Sequence, residues 1–101
     1  VAGTTAALPD GSAVGGDDIG EQTREALRRI AAALEQAGAG LADVVRTRIF
    51  VTDIARWREV GAAHAEFFAE IRPASTMVEV GALITPALQV EIEADAIIPD
   101  E

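Results

Sequence analysis

The sequence predicts an α+β domain, with a mixed β-sheet and two helices packed on one of its faces. Three observations carry this. Apolar residues recur at steps of three or four in two separate stretches, which is helical spacing. Runs rich in β-branched residues precede, separate and follow those stretches. The resulting order is strand, helix, strand, helix, strand, strand. Helices alternating with strands suggest layers, and two consecutive final strands add an antiparallel pairing. No linker, repeat or low-complexity tract interrupts the 101 residues, so 1–101 reads as one domain.

Val1 to Leu8 is short, apolar and Thr-containing, and ends at Pro9-Asp10-Gly11, so a strand and a turn are expected. The small residues 11–16 read as a loop. Asp17 and Asp18 are suited to cap the first helix, because carboxylates accept from free N–H groups at a helix start. Ile19, Thr23, Leu27, Ile30 and Leu34 then form one apolar stripe, which Gly38 and Gly40 end. In the run 44–52, strict alternation puts Val45, Thr47, Ile49 and Val51 on one face and Val44, Arg46, Arg48 and Phe50 on the other. Asp53 caps the second helix, whose stripe is Ile54, Trp57, Val60, Gly61, His64, Phe67 or Phe68, and Ile71. Trp57 is expected to pack at its start, and Pro73 ends it.

Residues 72–80 and 90–94 read as two strands of a hairpin joined by a Pro-containing loop. Ser75, Met77 and Glu79 share one face of the first, and Glu91, Glu93 and Asp95 one face of the second. Carboxylates repeated inside apolar strands mark a candidate site, since buried carboxylates are costly unless paired or used. Glu91 belongs to such a site, pairs with Arg46 or Arg48 across the sheet, or is simply solvated. Three alternating acids suit a divalent cation poorly, because no His accompanies them and calcium loops offer closer-spaced oxygens. His64 reads as a partly buried structural residue. Ser75 is a candidate ligand hydroxyl without the adjacent His-Asp pair a nucleophile needs.

Seventeen acidic residues face eight basic ones, all Arg, for a net charge of −9. Polyanion binding needs a basic patch, so nucleic acid and anionic membrane surfaces are poor partners. The chain has no Cys, hence no disulfide or thiol chemistry. No apolar run approaches the ~20 residues that span a bilayer, and no leader is visible, so a cytoplasmic protein is expected. Aromatics are scarce, leaving a core of Val, Ile, Leu and Ala. The sheet face opposite the helices is expected to meet other subunits.

Together these segments resemble the YjgF/RidA/L-PSP family. Gly3-Thr4-Thr5 resembles its strand-end glycine and Gln22-Thr23-Arg24-Glu25-Ala26-Leu27 its first helix. Ala37-Gly38 with Leu41-Ala42-Asp43-Val44-Val45-Arg46-Thr47 resembles its helix-to-strand passage. Phe50-Val51-Thr52-Asp53 and Phe67-Phe68 fit the next strand end and helix, while residues 72–80 and 90–94 resemble its C-terminal signature. The resemblance implies a chorismate-mutase-like fold and a homotrimer whose sheets form a barrel with clefts between subunits. It also implies hydrolysis of reactive enamines and imines to 2-oxo acids and ammonia, without metal or cofactor. Glu91 matches the family's water-positioning glutamate, and the backbone at Gly3 matches a cleft-lining segment. Where catalytic members read Pro-Ala-Arg, with Arg clamping the substrate carboxylate, this chain reads Pro73-Ala74-Ser75. Arg72 lies close enough in sequence to be a substitute clamp. The family's N-terminal tyrosine, and the strand that would carry it, have no counterpart in this sequence. The resemblance therefore leaves two expectations, a deaminase and a non-catalytic metabolite-binding or regulatory trimer. The endoribonuclease activity in the family's name is third, given the charge.

Overall fold

A computed structural model describes residues 1–99. Helix α1 (Ile19–Gln36) begins where Asp18, in extended backbone, accepts a hydrogen bond from the Glu21 N–H at 3.1 Å. Its inward stripe of Ile19, Leu27, Ile30 and Leu34 is buried as its spacing predicts, with Thr23 and Ala26 alongside. Each such aliphatic side chain contributes about 1.5–3 kcal/mol by leaving water. At the far end Gly38 adopts a φ of +82°. That lets the Ala39 N–H reach the Leu34 carbonyl at 2.8 Å and the Gly38 N–H reach Glu35 at 3.1 Å, which satisfies the helix's last carbonyls.

Strand β1 (Val44–Val51) is the centre of a three-stranded sheet. Thr47, Ile49 and Val51 face the helices as alternation predicts, but Val44 is buried and Val45 exposed, the reverse of the expected phase. The pairing with the neighbouring strand shifts register between Val44 and Arg46. One irregular residue there switches the face of everything before it. Asp53 then caps a short 3₁₀ turn, Ile54–Arg56, by accepting from the Ala55 N–H at 3.0 Å. Helix α2 (Trp57–Phe68) follows, burying Val60, Ala63 and Phe68. Trp57 does not pack inward: it is 49% exposed, with the Arg58 guanidinium 4.7 Å from its ring centroid. At the first turn of α2 it sits outside the arc that covers the sheet.

The last two strands, β2 (Ala74–Glu79) and β3 (Val90–Ala96), do not form the expected hairpin. The sheet order is β2-β1-β3, with β2 parallel and β3 antiparallel to β1. The physical reason is the crossover through α2, which returns β2 beside β1 in parallel. Residues 80–89 then pass over the end of β1, held by Val80 N–H to Val51 O (2.8 Å) and Thr52 N–H to Gln89 O (3.1 Å). That places β3 on the other side. The first predicted strand is also reduced. Residues 1–8 make an isolated bridge from Thr4 to Ile92 on β3 and another from Ala7 to Ala13.

Two polar side chains fasten these loops to α1. Arg29 Nη1 donates to the Thr5 and Ala7 carbonyls, both at 2.9 Å. Gln22, fully buried, donates to Gly16 O (2.7 Å) and Ala87 O (2.9 Å) and accepts from the Gln89 N–H (2.9 Å). The core lies between the helices and the sheet, where Ile49, Val51, Val90, Ile92 and Ala94 meet the α1 stripe. The opposite sheet face carries no helix.

Candidate functional site

Pairing decides which face each candidate takes. Glu91 stands opposite Phe50, Glu93 opposite Arg48 and Asp95 opposite Arg46. Ile92 and Ile49, in the core, hold the alternate positions, so the three acids project from the helix-free face. Arg48 makes ion pairs with Glu93 at 3.7 Å and Asp95 at 3.1 Å. It does not pair with Glu91. Among the described residues Glu91 has neither an ion pair nor a side-chain hydrogen bond.

Gly3 explains how that carboxylate is seated. The Thr4–Ile92 bridge lays the N-terminal segment beside β3. A Cβ at Gly3 would fall 2.5 Å from Glu91 Oε2 and 3.0 Å from its carboxyl carbon. A side chain there would therefore displace the carboxylate. Gly3 and Glu91 are thus brought together from opposite ends of the sequence.

Ser75 is elsewhere. It stands beside Thr47 on parallel neighbours, so both side chains point toward the helices, away from the face that carries Glu91. The fully buried Thr47 hydroxyl lies 2.8 Å from Ser75 Oγ and 3.0 Å from His64 Nε2 on α2, within hydrogen-bond distance of both. Phe68 packs against the imidazole, with centroids 4.7 Å apart and planes at 37°. Burial pushes the His64 pKa below its ordinary value by disfavouring the charged ring. Arg72 adopts a left-handed turn (φ 54°) after α2, and its Nε donates back to the Ala69 carbonyl at 3.4 Å. The guanidinium is directed to the helix end and to neither Ser75 nor Glu91.

Sequence reasoning missed Thr47 as a link between Ser75 and His64. The signal was present: a hydroxyl holds an inward position in a row otherwise made by Ile49 and Val51. Glu93 and Asp95 are ion-paired, and among the described residues no three His, Asp or Glu side chains converge as a metal site would need. A separate depression of about 460 Å³ lies at the end of β1, between Thr52, Leu83, Ile84, Thr85 and Leu88. None of the four candidate residues lines it. No helix among the described residues is long and apolar enough to cross a membrane.

With this geometry in view, the match to known proteins is direct. The family described as Endoribonuclease L-PSP matches residues 1–98. The chain belongs to the L-PSP family. Within the L-PSP family, the solved structure of Rv2704 from Mycobacterium tuberculosis, titled a member of the YjgF/YER057c/UK114 family, is 65% identical. It superposes with a TM-score of 0.87 over 97% of this chain and 76% of its own. A RutC family protein of Pyrococcus abyssi is 36% identical over 95% of this chain and 75% of its own length. A Salmonella typhimurium protein named 2-iminobutanoate/2-iminopropanoate deaminase is also 36% identical, over 80% of this chain and 65% of its own length. The chain therefore spans about two thirds to three quarters of these relatives, and the L-PSP fold is shared across that span.

Proposed function

We propose that this chain is a small-molecule-binding protein that assembles as a homotrimer and hydrolyses reactive imines or enamines to 2-oxo acids and ammonia. The observation that carries the reading is the Gly3–Glu91 juxtaposition. Of the three acids on β3, Glu91 alone is left without an arginine, on a face that no helix covers. Glu91 takes a proton from water as the oxygen adds to the imine carbon. It returns that proton to nitrogen to give a carbinolamine, then moves the carbinolamine's hydroxyl proton to nitrogen as the carbon–nitrogen bond breaks, leaving the 2-oxo acid and ammonia. A positioned carboxylate contributes about 10²–10⁴-fold in such a step. The name of the Salmonella relative supports this substrate class.

The placement of Ser75 supports assembly. Ser75 and Glu91 occupy opposite faces, on strands flanking opposite sides of β1, so one chain cannot put both against one small molecule. A site that uses both would draw one of them from a second copy. The helix-free face carries exposed Val45 and Val78 and partly exposed Phe50, which suits contact between copies.

Ser75 also favours a second reading, a metabolite-binding trimer without turnover. Replacing a guanidinium clamp by a hydroxyl removes a charge-assisted contact typically costing about 2–5 kcal/mol when lost. The test generates 2-iminopropanoate and 2-iminobutanoate in situ and follows ammonia release against a buffer control. Acceleration that is lost in Glu91→Gln supports the deaminase, and Ser75→Arg is expected to raise the rate. No acceleration by the parent or the Ser75→Arg protein sinks it. Sedimentation as a monomer overturns the shared cleft.

A further inference from the structure

The hydroxyl chain from His64 through Thr47 to Ser75 has a consequence for ligand binding, which rests on the 2-oxo or 2-imino acid reading above. Thr47 occupies a core position, fully buried, in a row where its neighbours on the same face are Ile49 and Val51. A valine would fill that space without any polar group to satisfy. Instead the Thr47 hydroxyl is bonded on both sides, to Ser75 Oγ at 2.8 Å and His64 Nε2 at 3.0 Å. One end of the chain, His64, is partly buried against Phe68. The other end, Ser75, is exposed on the edge strand β2.

A threonine hydroxyl has a single proton, so the chain has a direction. If His64 carries its proton on Nε2, that N–H donates to Thr47 and Thr47 donates to Ser75. The proton of Ser75 is then directed outward. If the proton is on Nδ1, Nε2 accepts from Thr47, Thr47 accepts from Ser75, and the serine proton points inward. Burial disfavours the charged ring, and for the neutral ring the choice between the two is a choice of tautomer.

We propose that Ser75 is the hydrogen-bond donor to the carboxylate of a bound 2-oxo or 2-imino acid, with Thr47 and His64 as positioning residues that turn its proton outward. A carboxylate accepts and cannot donate, so it selects the Nε2-protonated chain. Ligand binding and the His64 tautomer are then coupled: each favours the other. Ser75 supplies one directed donor where a guanidinium would supply two and a charge.

The test measures binding of 2-oxobutanoate, the stable product, by calorimetry to the whole protein. The ¹⁵N shifts of His64, the sole histidine, are recorded alongside. Ser75→Ala and Thr47→Val are each expected to weaken binding about tenfold, the scale of one hydrogen bond to a charged group. The double variant is expected to be no weaker than either single one. Thr47→Ser is expected to restore affinity, which a purely structural role for a methyl group would not do. Saturation with 2-oxobutanoate is expected to move His64 toward the Nε2-protonated signature. Unchanged affinity in Ser75→Ala, a His64 signal indifferent to ligand, or no binding by the parent protein would each overturn the proposal. If these effects are seen while imine hydrolysis is not accelerated, the deaminase reading fails and the Ser75 assignment stands. If hydrolysis is fast but affinity ignores Ser75, the reverse holds.

Discussion

The strands on either side of β1 make an instructive pair. In β3, Val90, Ile92 and Ala94 are fully buried in alternation with Glu91, Glu93 and Asp95. In β2 only Met77 is even partly covered. The residues of β3 face a core built by α1 and are flanked on their outer side by the N-terminal segment. β2 is a free edge, held by its ladder to β1 and the Thr47–Ser75 bond. A strand with so little buried apolar area gains little from the core, and its unpaired N–H and C=O groups are open to another chain. The chemistry divides the same way. On β3 a carboxylate is set free on an open face, whereas on β2 a hydroxyl is tied inward to a histidine.

The largest expected effect separates the two strands by stability. Ile92→Ala is expected to cost about 2–5 kcal/mol in denaturant unfolding, the range for emptying a closed core site. Met77→Ala, partly exposed at the edge, is expected to cost well under half of that. Equal costs would mean that β2 is covered in solution, and would sharpen the case for a partner copy on that edge.

Gly3→Ala probes the β3 side without touching its core. The added methyl meets the far end of a flexible side chain, so folding is expected to change little while the Glu91 carboxylate is pushed aside. Imine hydrolysis is expected to fall by about tenfold, within the range that a general base contributes. A parent-like rate would remove Glu91 from the reaction.

His64 probes the β2 side through pH. Its folded-state pKa lies below the unfolded value, so the unfolded chain binds more protons in that window. Stability is therefore expected to fall as pH drops from about 7 through the ordinary histidine range near 6.5. Glu21 behaves in the usual carboxylate manner: its hydrogen bond to Arg28 lowers its pKa, and the corresponding stability is lost only at more acidic pH. Because the chain has one histidine, the slope between pH 7 and 6 is expected to vanish in His64→Gln. An unchanged slope would show that His64 is as accessible to water as it is in the unfolded chain.

Arg48→Ala is expected to have the smallest effect, below about 1 kcal/mol, because both ion pairs are substantially exposed and screened. A larger loss would show that the helix-free face is desolvated, as it would be inside an assembly.

Much of this was legible in the chain. The caps at Asp18 and Asp53, the stripe from Ile19 to Leu34, and the alternation of acids on β3 each depend on residues a few positions apart. Local spacing is what helix and strand periodicity encode. The resemblance of the segments in order also placed the chain in its family. What failed was non-local or small. The bulge at Val45 reversed one end of β1, and Trp57 turned out of the core. The two final strands, adjacent in sequence, were separated by β1.

The sequence alone therefore determined the two helices, the strand segments that follow them, most of their inward faces and the residue types available for chemistry. Only the tertiary structure decided which of them meet. Crossover through α2 put β2 on one flank of β1, and the 80–89 loop carried β3 to the other. That order puts Ser75 and Glu91 on opposite flanks of β1 and the register gives them opposite faces, while packing lays Gly3 against Glu91 and links Ser75 through Thr47 to His64. Strand partners are chosen by which edges remain free and by how far a connection reaches, and neither is written in the spacing of neighbouring residues.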